Sequence, residues 1–271
     1  MSVADAVISH YARADIAPRI LAALAETAGP DTPVTPEALA PLDHFHSRGV
    51  AATEALCRLL DPQPGEAVLD IGCGIGGPAR WIAARTGCLV TGVDLTPDFV
   101  AAATALAAAT GQSGTVRFLE GSALALPVPD AAFDRAYSQN VVMNIADKAA
   151  VYAEARRVLR PGGVLALSNL TSGPAGPPAY PLPWAAGPET SFLSTPEATR
   201  AELEAAGFAI LAFHDVSAEI VAFNQALRAS GRPRLGMGVL VGEAIVERQR
   251  NSARGLAEGR LCAIEVLARR R

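Results

Sequence analysis

The hydrophobic positions between residues 67 and 120 follow two alternating spacings. Short continuous apolar runs are typical of buried strands, and apolar residues three or four positions apart are typical of helices. The pattern predicts strands over residues 67–72, 88–94 and 115–120 and helices over residues 77–86 and 97–110. Strands and helices that alternate in this way predict a parallel, doubly wound α/β sheet.

Both spacings continue through the rest of the chain. They predict strands over residues 133–139, 163–170, 208–216 and 261–268, a helix over 148–159 and a helical region over about 219–257. The total is seven strands, and a turn at residues 160–163 is expected before the fifth. Residues 171–194 break the alternation, because they are rich in Gly, Pro and Ser and contain Tyr180, Trp184 and Phe192. Such a loop favours a mobile lid over a site rather than a second domain.

The chain before the first strand has helical spacing in two places. Residues 1–30 predict a helix with a break at Pro18, and residues 50–60 predict another, which the Pro- and Gly-containing residues 61–65 end. We therefore divide the chain into an N-terminal helical extension, residues 1–60, and an α/β domain, residues 61–271. Residues 171–194 and about 219–257 are the expected lid segments of that domain.

Two helix starts show the same three-residue signal, Thr96-Pro97-Asp98 and Thr195-Pro196-Glu197. A threonine oxygen can accept an unpaired amide of the first turn, proline is tolerated at the first helical position, and an acid suits the positive end of the helix dipole. Each threonine is therefore expected to cap its helix.

Composition narrows the class of protein. Half of the 271 residues are hydrophobic and 18% are charged, which allows a large core and excludes global disorder. The formal charge is −4 and Lys148 is the only lysine, so neither nucleic acid nor a membrane surface is expected as a partner. The four cysteines are scattered without metal-ligand spacing, which predicts reduced thiols in a cytoplasmic protein and no metal site.

A glycine loop follows the first predicted strand in the sequence VLDIGCGIGGP, residues 68–78. Such a loop at the start of a helix suits a nicotinamide or flavin nucleotide, whose pyrophosphate accepts backbone amides and whose ribose meets an acid after the second strand. Asp94 stands at that place, but it would serve S-adenosylmethionine equally well. Asp70 lies two residues before the first glycine, where a carboxylate suits the cationic S-adenosylmethionine better than a pyrophosphate.

Four segments together resemble the class I S-adenosylmethionine-dependent methyltransferases. They are VLDIGCGIGGPA (residues 68–79), VTGVDLTP (90–97), FLEGSALALPVPDAAFDRAYSQNVVMNI (118–145) and RRVLRPGGVLALSN (156–169). The GIGGPA ending is similar to the branch that contains sterol, tocopherol, glycine/sarcosine and phosphoethanolamine methyltransferases. The resemblance implies a Rossmann-like fold with a seven-stranded mixed sheet, S-adenosylmethionine as cofactor and a small-molecule acceptor.

The resemblance also implies roles for particular residues. Gly72, Cys73 and Gly74 would bring backbone against the methionine end of the cofactor, near Asp70. Asp94 would bind both ribose hydroxyls, and Leu95 would lie along the adenine ring. Ser122 and Ala123 stand where relatives usually have Asp-Ala beside the adenine, so one adenine contact departs from the family. Gln139 and Asn140 would face the methyl-transfer end.

Histidines supply the remaining candidates. His44 and His46 invite a metal interpretation, but no third ligand stands nearby. His46 is the catalytic candidate, because the segment before the first strand often folds over the cofactor in similar enzymes. His214 and Asp215 are either a satisfied pair or a substrate contact.

Two alternatives to a small-molecule methyltransferase stay open. One is a module that binds S-adenosylmethionine without transferring the methyl group, and the other is a nicotinamide-dependent oxidoreductase. Methylation of nucleic-acid bases is disfavoured, since neither a DPPY-like tetrad nor a Pro-Cys pair occurs.

Overall fold

The computed structural model of the chain describes residues 15–44, 46–230 and 244–271. Seven strands form a single sheet in the order β3-β2-β1-β4-β5-β7-β6. The strands are β1 (Ala67–Ile71), β2 (Leu89–Asp94), β3 (Val116–Glu120), β4 (Phe133–Gln139), β5 (Leu159–Ser172), β6 (Phe208–Asp215) and β7 (Leu261–Arg270). The first five strands are parallel, and β7 is antiparallel to both β5 and β6. The predicted doubly wound, seven-stranded mixed sheet is confirmed.

Helices cover both faces of the sheet. They are α1 (Ile16–Ala28), α2 (Pro36–Asp43), α3 (Val50–Leu60), α4 (Gly77–Thr86), α5 (Pro97–Ala109), α6 (Lys148–Val158), α7 (Pro196–Ala205), α8 (Ser217–Ala229) and α9 (Ala244–Ala257). The predicted helical region over 219–257 is divided between α8 and α9, and its residues 231–243 lie outside the described part. The predicted N-terminal helix lies partly outside it too, over residues 1–14.

Neighbouring residues of β1 are buried in two different hydrophobic clusters, because successive residues of a strand point to opposite faces of the sheet. Val68 is buried with Leu56 and Leu60 of α3 and Ile82 of α4. Leu69 is buried on the other face, in a cluster that holds Phe133, Tyr152 and Phe208. Apart from Asp70, the first strand is therefore apolar, as is typical of a parallel strand covered on both faces.

The N-terminal helices form a third buried cluster. Residues of α1 and α2, among them Ile20 and Leu39, are buried against Leu106 of α5 and against Ile75 of the glycine loop. Helix α2 was not predicted, although Thr35 accepts the amide of Ala38 at 3.2 Å and Pro36 takes the first position. The predicted break at Pro18 is wrong, because this proline lies in the first turn of α1, where its missing amide leaves no intrahelical bond unmade.

The fifth strand is longer than its local pattern indicates. It begins at Leu159, so the predicted turn at residues 160–163 is an irregularity in its pairing with β4. It ends at Ser172 instead of residue 170, because β7 pairs with it from Val164 to Ser172. A neighbouring strand from the far end of the chain thus sets its length.

The remainder of the first predicted lid segment is packed. Leu182, Trp184 and Ala185 are buried in a cluster with Met143 and with residues of α8, α9 and β7. The side-chain amide of Asn251 in α9 donates to the carbonyl of Pro181 at 3.0 Å. The segment is therefore anchored by residues 181–185, whereas its residues 174–177 are exposed, and its mobility stays a prediction. Among the described helices, none is both long and apolar enough to cross a bilayer.

Candidate functional site

The predicted site residues gather at the carboxyl ends of β1, β2 and β4. The parallel register sets Asp70 beside Gly92 of β2 and Tyr137 of β4, so the three strands end at one edge. In open α/β sheets this edge is where ligands bind.

The glycine loop, residues 72–77, uses its first amides internally. The amides of Gly72 and Cys73 both donate to the carbonyl of Val93, at 2.8 Å and 3.1 Å. The amide of Gly74 donates to Oδ2 of Asp94 at 2.8 Å. Three consecutive N–H groups are therefore engaged by β2 and are not available to an anion.

Gly72 must be glycine for two reasons. Its φ is 80°, a left-handed conformation that L side chains rarely adopt. A Cβ at this position would also clash with the side chain of Val141, which follows β4. The loop after β4 thus packs directly on the glycine loop.

Asp94 closes the loop from the second strand. Its Oδ1 accepts the amide of Thr96 at 2.9 Å, while its Oδ2 holds the amide of Gly74. Burial raises the pKa of this carboxyl, and the hydrogen bonds from Thr96 and Gly74 oppose that rise. The predicted cap at Thr96 is wrong, because its side chain makes no capping bond and interacts with Asp94 instead. Thr195 does cap α7, through the amide of Ala198 at 3.1 Å.

Asp70 is a buried carboxyl with one strong partner. It accepts the hydroxyl of Tyr137 at 2.8 Å. Burial raises its pKa to about 7, and the negative charge of Asp94 adds to the rise. Burial raises the pKa of the Cys73 thiol, and the negative charges of Asp94 and Asp70 raise it further. Cys73 is therefore a buried, protonated thiol and not an activated thiolate.

The predicted adenine contacts lie next to Asp94. The amide of Gly121 donates to the carbonyl of Asp94 at 2.9 Å, which brings Ser122 and Ala123 to the end of β2. The hydroxyl oxygen of Ser122 accepts the amide of Leu124 at 3.1 Å, so its own hydrogen stays available to a ligand. Leu95 follows Asp94 and is half-buried.

A strap formed by residues 43–49, of which 45 is not described, crosses the same edge of the sheet. At one end Asp43 binds the buried Arg80 of α4 at 2.8 Å and Nδ1 of His44 at 2.7 Å. Burial alone would raise the pKa of Asp43, but the hydrogen bond from His44 and the charge of Arg80 hold it below its ordinary value. Asp43 also packs on Gly77, where a Cβ would clash with it.

The other end of the strap is held by β7. Arg48 binds Glu265 at 2.6 Å and approaches Glu219 of α8 at 3.5 Å. Glu265 pairs with Ser168 of β5, which in turn pairs with Gln139 of β4. The strap therefore runs from the glycine loop to the second half of the sheet.

His46 lies in the middle of this strap and is half-buried. Its Nε2 is 3.3 Å from the hydroxyl of Thr53, which in turn is 3.5 Å from Oε1 of Gln139. Burial lowers the pKa of His46 to about 3, and the neighbouring His44 adds to this effect. The imidazole is neutral at physiological pH and is a very weak proton acceptor.

Gln139 and Asn140 stand at the exit of β4. Gln139 is buried, and its Nε2 has no hydrogen-bond partner among the described residues. Asn140 has a φ of 57° and donates its amide to the carbonyl of Ser168 at 2.7 Å. A buried side-chain amide without a partner, such as that of Gln139, costs free energy. It therefore marks a position where a ligand atom can bind.

His214 and Asp215 lie away from the glycine loop, at an open cleft of about 600 Å³. The cleft is lined by Ala55, Arg58, Leu59, Phe213, His214, Asp215, Val216, Glu219 and Glu265. Asp215 accepts the amide of Ser217 at 2.8 Å. Across the described ranges, no cluster of three His, Cys, Asp or Glu side chains is arranged to hold a metal ion.

Sequence reasoning missed the partners that complete this site. Tyr137 and Val141 belong to β4 and the loop after it, and no local pattern pairs them with Asp70 and Gly72. Glu265 is 217 residues from Arg48, a separation without any sequence signal.

Comparisons with known proteins show what the central part of this chain is similar to. Residues 69–167 match a family model described as a methyltransferase domain. Sterol 24-C-methyltransferase ERG6B of Gibberella zeae is 41% identical over 102 residues, which are 38% of this chain and 27% of that protein. Methyltransferase GfsG of Streptomyces halstedii is 36% identical over 129 residues, 48% of this chain and 46% of that protein. The chain spans between about a quarter and a half of these relatives, and residues 69–167 are the part that is similar to a methyltransferase domain.

Solved structures agree on the fold over the whole chain. The geranyl diphosphate C-methyltransferase of Streptomyces coelicolor A3(2) superposes with a TM-score of 0.73 and 18% identity, over 100% of this chain and 99% of that chain. The [4+2]-cyclase SpnF superposes with a TM-score of 0.69 and 23% identity, over 100% and 97%. At these identities the likeness concerns the fold alone.

Proposed function

We propose that this protein transfers a methyl group from S-adenosylmethionine to a small-molecule acceptor. The observation that carries the proposal is the chemistry of the glycine loop. Its amides at Gly72, Cys73 and Gly74 are engaged, while the carboxyls of Asp70 and Asp94 lie beside it. Such a site favours a ligand that offers hydrogen-bond donors and positive charge.

S-adenosylmethionine has these properties, since it carries an ammonium group, two ribose hydroxyls and a cationic sulfur that activates its methyl group. Each oxygen of Asp94 accepts one backbone amide and keeps a lone pair for a ribose hydroxyl. Gly72, Cys73 and Gly74 would bring backbone against the methionine end, near Asp70. Leu95, Ser122 and Ala123 would border the adenine, where the free hydroxyl hydrogen of Ser122 can reach a ring nitrogen.

The same features argue against a nicotinamide nucleotide. A pyrophosphate needs unpaired amides at the glycine loop, and the first three are engaged with Val93 and Asp94. An added phosphate charge would also disfavour ionisation of Asp70, which burial already opposes.

The strap and the end of β4 would form the acceptor side. Gln139, through its unpaired Nε2, and Asn140 would meet the acceptor or the methionine end. His46 would act there as a neutral hydrogen-bonding group through Thr53, and His46→Ala should lower turnover more than about tenfold with folding retained. The protein's main task is then to align the nucleophile and exclude water.

The acceptor class follows from the surroundings and the relatives. The matched proteins are named for sterols and other small molecules, and the segment beyond β5 buries Leu182 and Trp184. We propose a partly apolar metabolite as acceptor and, from the four free cysteines, a cytoplasmic setting.

Asp94→Ala tests the cofactor assignment. Loss of a charge-assisted bidentate contact should cost about 2 to 3 kcal/mol, or roughly thirtyfold to over a hundredfold in affinity for S-adenosylhomocysteine. Glu120→Ala is the matched control, because Glu120 is exposed at the end of the adjacent strand. Calorimetry that shows equal affinities for both variants and the wild type contradicts the assignment, as does tight binding of NAD.

A second candidate is a protein that binds the cofactor without methyl transfer. It is favoured by the whole-chain fold likeness to a protein named as a cyclase, SpnF. Incubation with methyl-labelled S-adenosylmethionine and a metabolite extract distinguishes the two. A labelled small-molecule product supports transfer, whereas binding without any labelled product supports the second candidate.

A further inference from the structure

Lys148, the only lysine of the chain, is buried at the start of α6 with its ammonium fully hydrogen-bonded. The ammonium donates to the carbonyls of Val142 and Phe192, each at 2.6 Å, and to that of Ile145. Three carbonyl acceptors match the three N–H groups of an ammonium. Burial lowers the pKa of Lys148 to about 8, and the charge of Glu202 opposes this shift.

The three carbonyls belong to two separate walls of the site. Val142 and Ile145 lie in the β4 loop, residues 140–145, and Phe192 lies in the acceptor-side segment, residues 180–194. The walls also meet directly, since the amide of Phe192 donates to the carbonyl of Met143 at 2.8 Å. Met143 is buried with Leu182 and Trp184 of the acceptor-side segment.

The β4 loop reaches the cofactor side as well. Val141 occupies the space in front of Gly72, where a Cβ would clash with it. A displacement of the β4 loop would therefore move Val141 and change its packing against the glycine loop. Lys148 is the one side chain that bonds the β4 loop and the acceptor-side segment at the same time within the described ranges.

We propose that Lys148 is a positioning residue that holds the acceptor-side segment against the β4 loop and so couples acceptor closure to the cofactor pocket. The proposal deepens the proposed function and rests on it for its cofactor part. No proton or group transfer is assigned to the amine. Its role depends on donating three hydrogen bonds from one point, which the planar guanidinium of arginine cannot reproduce.

Acetylation of the wild-type chain tests this without any variant. The α-amino group of the same chain, with an ordinary pKa of about 7.7 to 8.0, is the internal reference amine. Rates measured at several pH values separate the protonation of each amine from its exposure. With a succinimidyl acetate reagent at pH 8, mass spectrometry should show Lys148 reacting at least about tenfold more slowly than the α-amino group. Saturating S-adenosylhomocysteine should slow Lys148 by at least about threefold more. Equal rates for the two amines, or a rate at Lys148 that ignores the ligand, overturn the proposal.

Lys148→Met provides the second test, because it keeps the length of the side chain and removes its donors. Thermolysin should cut the acceptor-side segment about fivefold faster in this variant. The folded variant should also bind S-adenosylhomocysteine about threefold to tenfold more weakly, through the displaced Val141. Arg228→Met is the matched control, since it makes the same kind of change at an exposed position of α8.

The outcomes separate the proposal from the proposed function. If Lys148→Met loses thermal stability but keeps the wild-type affinity and cleavage rate, then Lys148 has a purely structural role in the wild type. That result overturns the coupling. A wild-type protein that does not bind S-adenosylhomocysteine refutes the proposed function instead. The acetylation ratio without ligand and the cleavage rates then still decide whether Lys148 holds the two walls together.

Discussion

The two halves of the sheet are held together in different ways. The half that we propose binds the cofactor, called the cofactor half, consists of β1 to β3 with the glycine loop. It is joined by contacts close in sequence, such as the bond from Gly74 to Asp94 over 20 residues. The acceptor half, β5 to β7 with the acceptor-side segment, is joined by distant ones, such as Arg48 to Glu265 over 217 residues. The glycine loop is held by backbone amides and a carboxylate, whereas the acceptor-side segment is held mainly by packed side chains.

This difference explains what the relatives share. The family match covers residues 69–167, which contain the cofactor half except for the first two residues of β1, together with β4 and the first nine of the fourteen residues of β5. A ligand common to many enzymes can be bound by a short, continuous motif. A particular acceptor has to be enclosed by segments from several places in the chain, and the family match ends before most of these segments begin.

The acceptor half should be the easier one to disrupt without loss of the cofactor pocket. Trp184→Ala empties a buried site and should lower the free energy of unfolding by about 3 to 5 kcal/mol in urea denaturation. The affinity of the folded variant for S-adenosylhomocysteine should weaken by no more than the roughly threefold to tenfold expected for Lys148→Met, because Trp184 reaches the glycine loop only through Met143 and the β4 loop. Leu211→Ala, at an exposed position of β6, is the control and should cost less than about 0.5 kcal/mol. An unchanged unfolding midpoint for Trp184→Ala would show that this segment does not pack as described.

In the cofactor half, one added methyl group at Gly72 should lower both stability and ligand affinity. Gly72→Ala combines a left-handed backbone with a clash against Val141, and it should cost about 2 to 4 kcal/mol of stability. S-adenosylhomocysteine binding should weaken by more than about tenfold. Gly111→Ala has a φ of 69° but open space around it, so only the backbone strain of about 1 to 2 kcal/mol remains. Adding Val141→Ala to Gly72→Ala should recover part of the loss, and failure to recover any would exclude the clash.

Two buried groups should give opposite pH dependences of stability. The pKa of Asp70 is raised from 3.8 to about 7, so its contribution to the free energy of unfolding falls as pH rises through that range. The pKa of His46 is lowered from 6.5 to about 3, so its contribution rises with pH between those values. Each slope is at most about 1.4 kcal/mol per pH unit.

Urea unfolding of Asp70→Asn and His46→Gln across this pH range separates the two contributions. Relative to the wild type, Asp70→Asn should become more stable as pH rises, and His46→Gln should become less stable. Parallel curves for a variant and the wild type would mean that the substituted group is not perturbed in the folded protein.

The smallest effects are expected at Thr96 and Thr195, the two threonines that precede a proline at a helix start. Thr195→Ala removes a helix cap and should cost about 1 kcal/mol, with ligand affinity unchanged. Thr96→Ala removes no cap and should weaken S-adenosylhomocysteine binding by about twofold to tenfold instead, because Asp94 loses a hydrogen bond. Calorimetry and thermal unfolding of both variants check the contrast, which is refuted if they behave alike.

Local pattern was enough for most of the cofactor half. The bounds of α4 agree with prediction, because Gly76 and Gly87 cap its two ends. Outside this half, the bounds of β4 agree as well. The position of Asp94 beside the glycine loop also followed from the order of strands and helices. The helix start at residue 96 was correct, but its threonine turned toward Asp94, a choice that depends on the neighbouring strand.

By itself the sequence determined that this chain folds as an α/β sheet with a glycine loop and an acid at the end of β2, since periodicity and motif spacing act over about 30 residues. Tertiary structure alone decided the length of β5, the pairing of Arg48 with Glu265, and the meeting of Lys148 with Phe192. It also decided that Asp70 titrates near pH 7 and that His46 stays neutral. The physical reason is that burial and charge depend on every segment packed around a group, and those segments come from opposite ends of the chain.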